Sequence, residues 1–331
     1  MQRPGLPPTL RWIGLAICLM LAASSAGGCS KGSPPERPEG RRIDIAPPGP
    51  TVSTQKPRSG RVLQVVATTS VVADWLRVIG STNVRTHVVV KAGLDPISYL
   101  ATPVDVGALQ RADLVVAVGR GLEPWLEPAR KAAGSTKPVV ALGEGLPERS
   151  TRSGAPDPYL WLDLENARKM VAALTTALVA ADPADEAAFN VARDAYTASL
   201  EKADEELRRL LAPVAGKGLV TAKETFGWFA SRYGLEVVGS VVPSIDARAD
   251  IPPQHSAELR QAIQAKQVKA IFAEKSVPEA SVRVLAQDAG VKAVLGSGAL
   301  LGDGLGQAGT DTDTFLGAAN HNARSVAANL A

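Results

Sequence analysis

From residue 61 onward, apolar and polar positions alternate between two rhythms. "VLQVVAT" is a short, nearly continuous apolar run; "SVVADWLRVIG" then places Val, Trp, Leu and Ile at helical spacing and stops on a glycine. The first pattern predicts a buried strand and the second a helix. The alternation continues: "RTHVVV", "DLVVAVG" and "KPVVALG" read as strands, and "PVDVGALQRA" and "EPWLEPARKAAG" as helices. Pro103 stands at a favourable first-turn position. Residues 165–182 and 184–212 read as helices broken at "ADPAD", the second long and amphipathic. A second alternation follows, with strands "GLVTA", "LEVVGSVV", "VKAIFAE" and "VKAVLG", helices between them, and a closing helix in "TDTFLGAANHNARSVAANLA".

Apolar strands separated by helices imply parallel sheets covered on both faces. The expected fold class is therefore α/β. Two parallel-sheet lobes, residues 61–165 and 214–331, are joined by a helical segment, 166–213, that contains a long rigid helix. Such bilobal proteins bind ligands in the crevice between lobes, outside the carboxyl ends of the strands.

The first sixty residues follow neither rhythm. "MQRPGLPPTLR" is basic, "WIGLAICLMLAA" is an apolar run too short to span a bilayer comfortably, and "SSAGGC" offers small residues ending in Cys29. Residues 1–29 read as a signal peptide of the lipoprotein kind, with Cys29 the lipidation site. Residues 30–60 hold seven prolines and few apolar residues. They read as a disordered tether. The expected localisation is export, with lipid anchoring to the cell envelope and the folded part facing the periplasm or the cell exterior.

This division changes the meaning of the charge. The chain is formally +3, but the signal carries two arginines without acids, and the tether six Lys/Arg against three Asp/Glu. Residues 61–331 are left with a net charge of −2. A folded part of that sign excludes nucleic acid as an expected partner. The two cysteines, Cys18 and Cys29, both lie in the signal segment, so the exported part has no disulfide or thiol chemistry.

Enzyme signatures are lacking. There is no G-x-S-x-G elbow, P-loop or H-E-x-x-H. The glycine-rich "GSGALLGDGLGQAG" at 296–309 lacks dinucleotide spacing and a following helix. The three histidines, His87, His255 and His321, have no metal-ligand spacing. Each reads as a surface or internally satisfied histidine. The chain is not expected to be an enzyme.

One charge stands out. In "GLVTAKETFGWF", Lys223 lies where a strand gives way to an expected aromatic-rich helix, the position that faces ligands in such folds. This stretch, together with "VVATTSVVADWLRVIG", "GLDPISYLATPVDVGALQRADLVVAVGRGLE", "DPYLWLDLENA", "AIFAEKSVP" and "LLGDGLGQAGTDTDTFLGAANHN", resembles the zinc- and manganese-binding solute receptors of ABC importers. The similarity is collinear over nearly all of 61–331.

The resemblance implies two α/β lobes, a metal held between them by four side chains, and delivery to an ABC permease. It also implies that the four ligand positions fall at Ile97 in "DPISYLATPVD", Tyr159 in "DPYLWLD", Lys223 in "VTAKETFGWF" and Asp303 in "LLGDGLG". Only Asp303 is retained as a ligand type. The flanks Asp95, Pro96, Tyr99, Asp157, Pro158, Trp161 and Asp163 all remain. The histidine-rich loop of many zinc receptors is absent; "GEGLPERSTRSGAPDP" has no histidine.

Zinc and manganese favour imidazole and carboxylate, with thiolate for zinc. Ile97 offers no donor, Tyr159 ligates poorly until ionised, and a charged Lys223 repels a cation. Ordinary metal binding is therefore expected to be lost, with no cofactor. A Lys223–Asp303 pair then replaces the metal charge, Tyr159 donates to that carboxylate, and Ile97 fills the imidazole space. Alternatively Lys223 reaches to solvent and the cleft is open. Three roles follow. The chain is an importer-type receptor, carrying a different solute such as a metal complex or an organic acid; or a metal-free interaction or scaffold protein of the envelope; or a zinc or manganese receptor with ligands relocated to Glu224, Asp246 or Asp303. The expected partners are an ABC permease and the membrane, through Cys29, and the expected state is monomeric.

Overall fold

The computed structural model describes residues 60–331. The expected signal peptide, all but Gly60 of the expected tether, and the expected lipidation site Cys29 lie outside the described residues.

Two four-stranded, all-parallel sheets carry the fold. The first contains β1 (Leu63–Thr69), β2 (Val84–Val90), β3 (Leu114–Ala117) and β4 (Val139–Ala141), in the order β2-β1-β3-β4. The second contains β5 (Gly218–Thr221), β6 (Glu236–Ser240), β7 (Ala270–Phe272) and β8 (Lys292–Val294), in the equivalent order β6-β5-β7-β8. In β1 the two faces are buried in different places. Leu63, Val65 and Ala67 enter one core, while Val66 enters another with Val89, Val115 and Leu109. A parallel sheet covered on both sides needs apolar residues at consecutive positions.

The helices are α1 (Ser70–Gly80), α2 (Pro103–Arg111), α3 (Leu126–Ala132), α4 (Leu164–Ala181), α5 (Glu186–Leu211), α6 (Gly227–Tyr233), α7 (Pro253–Ala265), α8 (Glu279–Ala289) and α9 (Phe315–Leu330). The 26-residue α5 buries Phe189, Tyr196, Leu200, Ala203, Leu207 and Leu211 along one face. The break before it is a short 3₁₀ turn, Pro183–Asp185. α9 does not stay with the second sheet. Its Phe315 ring packs edge-on against Trp75 of α1, with centroids 5.2 Å apart, and the Phe315 N–H donates to Asp74 at 2.9 Å. One apolar cluster therefore runs through α1, α4, α5, α6, α9 and inward faces of both sheets.

Two helices start later than the apolar spacing predicts. α3 begins at Leu126 because Glu123 turns inward: its carboxylate accepts from Thr68 Oγ1 at 2.7 Å, Val118 N at 2.9 Å and Gly119 N at 3.0 Å. α6 begins at Gly227, because Lys223 to Phe226 form a turn in which Thr225 N donates to the Lys223 carbonyl at 2.9 Å.

Candidate functional site between the lobes

Side chains from loops that leave the carboxyl ends of strands meet at one place, as expected of the crevice of an open α/β sheet. Lys223 follows β5 by two residues and is fully buried. Its backbone is held from several sides. Lys223 N donates to Glu274 Oε1 at 3.2 Å, and Thr221 Oγ1 donates to the Lys223 carbonyl at 2.7 Å. The side chain then reaches four oxygens: Asp303 Oδ1 at 2.6 Å, Tyr159 OH at 2.9 Å, the Ile245 carbonyl at 3.1 Å and Asp95 Oδ1 at 3.3 Å.

The four partners come from both lobes: Asp95 and Tyr159 follow strands of the first sheet, Ile245 and Asp303 strands of the second. Each is anchored. Asp95 accepts from Ile97 N at 2.9 Å through Oδ1 and from Ala247 N at 3.2 Å through Oδ2. Tyr159 OH, accepting from the ammonium, lies 3.2 Å from Asp303 Oδ1 and donates there. Ser276 Oγ donates to Asp303 Oδ2 at 2.5 Å. Gly302 is required beside Asp303, since a Cβ there would collide with Glu274 Oε2.

The electrostatics follow from burial. Removal from water opposes the charged form of Lys223, but the nearby Asp303, Asp95 and Glu274 outweigh it and raise the pKa above the usual lysine value. Burial pushes Asp303 upward against the pull of Lys223. Glu274 is pushed up to about 8 by burial and by the Asp303 charge, with Lys223 and the Thr225 hydroxyl acting in the opposite sense. Near neutral pH Glu274 therefore keeps its proton, and the ammonium of Lys223 its own. Tyr159 is raised well above 10 by burial and by Asp303, so it is a neutral hydrogen-bonding group.

Of the residues singled out in the sequence, the structure brings Lys223, Asp303 and Tyr159 into direct contact. Ile97 enters through its backbone N–H; its side chain is half-buried against the large apolar cluster. Three contributors were not foreseen as such: Asp95 as a second carboxylate, Glu274 as a buried acid behind the lysine, and the Ile245 carbonyl. Glu274 had a signal, a lone acid at the end of the apolar strand "AIFAE". The Ile245 carbonyl had none.

The alternative ligand positions are engaged elsewhere. Glu224 accepts from Ser153 N at 3.0 Å, and Asp246 is paired with Arg248 Nε at 3.2 Å. Among the described residues no three His, Cys, Asp or Glu are grouped so as to hold a metal ion. His87 contacts Asp105 at 3.0 Å, and His255 and His321 contact the carbonyls of Ser240 and Ala299 at 2.8 Å. A cavity of about 250 Å³ lies apart from Lys223, between the 150–156 hairpin and α7, lined by Arg152, Glu224, Ser240, His255 and Glu258 among others.

A family model described as "Zinc-uptake complex component A periplasmic" matches residues 65–329. The chain belongs to this zinc-uptake component A family. Its members are substrate-binding proteins of ABC transporters rather than enzymes. Relatives include the zinc-binding protein TroA of Treponema pallidum, 31% identical over 81% of this chain and 88% of TroA. The manganese-binding lipoprotein MntA of Bacillus subtilis is 30% identical over 80% and 88%. The manganese ABC transporter substrate-binding lipoprotein PsaA of Streptococcus anginosus is 27% identical over 82% and 90%. The solved structure of TroA superposes with a TM-score of 0.76 at 29% identity, covering 82% of this chain and 99% of the solved TroA chain. The likeness spans both sheets and the long helix.

Proposed function

We propose that this chain is the extracytoplasmic solute-binding lipoprotein of an ABC importer of the metal-uptake type, working as a monomer with a permease and anchored through Cys29. In this reading three of the four metal-ligand positions, Ile97, Tyr159 and Lys223, are replaced, and ordinary zinc or manganese binding is lost. A Lys223–Asp303 pair fills the site.

One observation carries the reading: the ammonium of fully buried Lys223 lies 2.6 Å from Asp303, the one carboxylate kept at a ligand position. A dication sharing that carboxylate would face the ammonium across about 4 Å, a repulsion of roughly 8 kcal/mol at an effective dielectric of about 20. The other two replaced positions do not offset this, since neutral Tyr159 and apolar Ile97 supply no anionic donor. An organic anion gains little from Lys223 either, because its charge is already met by Asp303 and Asp95. The same enclosure favours, as a second reading, a cargo-free interaction protein of the envelope.

The test is elemental analysis of the purified protein after exposure to zinc and manganese, with calorimetric titration of both ions. The expected result is no stoichiometric metal and no saturable heat. Tight, stoichiometric metal overturns the proposal. A triple variant, Ile97→His, Tyr159→His and Lys223→His, is expected to gain affinity for zinc; if it gains none, the assignment of these positions as former ligand sites is wrong.

A further inference from the structure

We propose that the inter-lobe site is a primary-ammonium site whose resident ligand is the chain's own Lys223, which holds the lobes together without any cargo. This rests on the reading that metal no longer occupies the site, and it goes further in naming what the site binds and what that binding does.

The geometry is that of a cation receptor. Four oxygens lie 2.6 to 3.3 Å from Nζ, two from each lobe. An ammonium has three N–H groups. Asp303, Tyr159 and the Ile245 carbonyl take them at the shorter distances, and Asp95 adds a fourth oxygen at 3.3 Å from the other lobe. Three of these oxygens also serve other groups. Tyr159 OH donates to Asp303 Oδ1, and Asp95 accepts from Ile97 N through Oδ1 while its Oδ2 holds Ala247 N across the crevice. Further bonds cross beside it: the Trp228 indole donates to the Asp157 carbonyl at 3.1 Å, and Leu305 N donates to Ser70 Oγ at 3.0 Å. Enclosed at 0% exposure, the ammonium has exchanged its water shell for ligands from both lobes. Opening the crevice would strip it of half of them. A free ligand bridges two lobes only while bound. A tethered one has a high effective concentration at all times.

The chemistry also sets selectivity. Neutral Tyr159 and a carbonyl are acceptors matched to N–H groups, whereas a quaternary ammonium has no proton to donate. Lys223 delivers its ammonium on an unbranched, fully buried stem, so the site takes a linear primary amine.

The test uses the full chain with Lys223→Ala. That change removes three carbons and the nitrogen, the composition of n-propylammonium. Expected is a melting temperature lowered by about 10 °C, as for one partner lost from a buried ion cluster in a chain of this size. Millimolar n-propylammonium should restore at least half of the loss; equal tetramethylammonium or zinc should not. The unsubstituted protein should respond to none of the three. Should Lys223→Ala not fold, Asp95→Asn decides. It keeps an acceptor for Ala247 but removes the cross-lobe charge, and it should speed hydrogen exchange of the Trp228 indole N–H at least tenfold. A folded Lys223→Ala protein that is not rescued, or is rescued equally by zinc or tetramethylammonium, overturns the proposal; so does unchanged exchange in Asp95→Asn. Those results leave the metal-free reading standing, which fails only if the unsubstituted protein takes up stoichiometric zinc or manganese.

Discussion

Two buried carboxylates near the crevice have a cation beside them, and they are satisfied very differently. Asp303 accepts from Ser276 and Tyr159 and meets Lys223 at 2.6 Å. Asp157 lies 3.3 Å from Arg149 Nε, at the base of the hairpin that packs over Gly227. There the geometry is poor, since neither Asp157 Oδ2 nor Arg149 Nε has a hydrogen-bond partner. Burial pushes Asp157 up to about 7, with the Arg149 charge only partly opposing it. Proximity of opposite charges is therefore not what makes a buried pair. The directed hydrogen bonds around it decide how well a buried carboxylate is satisfied.

The comparison can be broken most sharply with two amide substitutions. Asp303→Asn is expected to destabilise by about 3 kcal/mol, because it leaves Lys223 with a single, more distant carboxylate. Asp157→Asn is expected to change stability by less than about 1 kcal/mol near neutral pH, where that group is already half protonated. Urea denaturation of both variants checks this. Equal effects would mean that the two pairs do not differ in kind.

The backbone beneath each pair gives the next largest contrast. A Cβ at Gly302 would run into Glu274 Oε2, with Phe226 and Thr225 both 3.1 Å away behind it. Gly302→Ala should therefore cost about 2 kcal/mol. A Cβ at Gly227 would lie 2.5 Å from Asp157 Oδ2 and 2.6 Å from Arg149 Nε. Arg149 is partly exposed and can move, so Gly227→Ala should cost about half as much, by the same denaturation measurement.

The last contrast is a slope with pH. Glu274 rises from an ordinary 4.5 to about 8, and Asp157 from 3.8 to about 7. An acid whose pKa is raised by folding keeps its proton in the native state after the unfolded chain has released it. Its contribution is complete below the unfolded pKa and is lost as pH rises through the folded one. Stability should thus fall between about pH 4 and pH 8, by up to about 1.4 kcal/mol per pH unit for each group. Glu274→Gln should flatten the upper part of the window and Asp157→Asn the lower part. A profile of urea midpoints with no decline over this range would show that both acids stay charged.

Much of this was legible in the sequence, for reasons that can be traced. The strands were visible because the central ones, β1, β3, β5 and β7, are buried on both faces and read as apolar runs. Lys223 and Tyr159 stood out because "VTAKETFGWF" and "DPYLWLD" keep their surroundings while the central residue differs, and Asp303 because "LLGDGLG" keeps it. What stayed hidden depends on loop geometry. Asp95 is one motif flank among several until the chain's path brings it 3.3 Å from Nζ. The Ile245 carbonyl belongs to the backbone, which any residue could supply. Glu123 was read as part of a helix because its spacing fits one. Only the turn at Gly119–Gly121, with three successive positive φ angles, rotates it inward.

The return of α9 to the first lobe has a consequence for the order of folding. Phe315 and Trp75 are in ring contact although 240 positions separate them. The largest apolar cluster is complete only when residues 315–330 are in place. A chain emerging amino end first cannot close that core until residues 315–330 are free, so the first sheet must wait, incompletely covered, for α9. Contacts of such long sequence separation slow folding. Truncating the final helix should therefore leave a chain unable to finish either half.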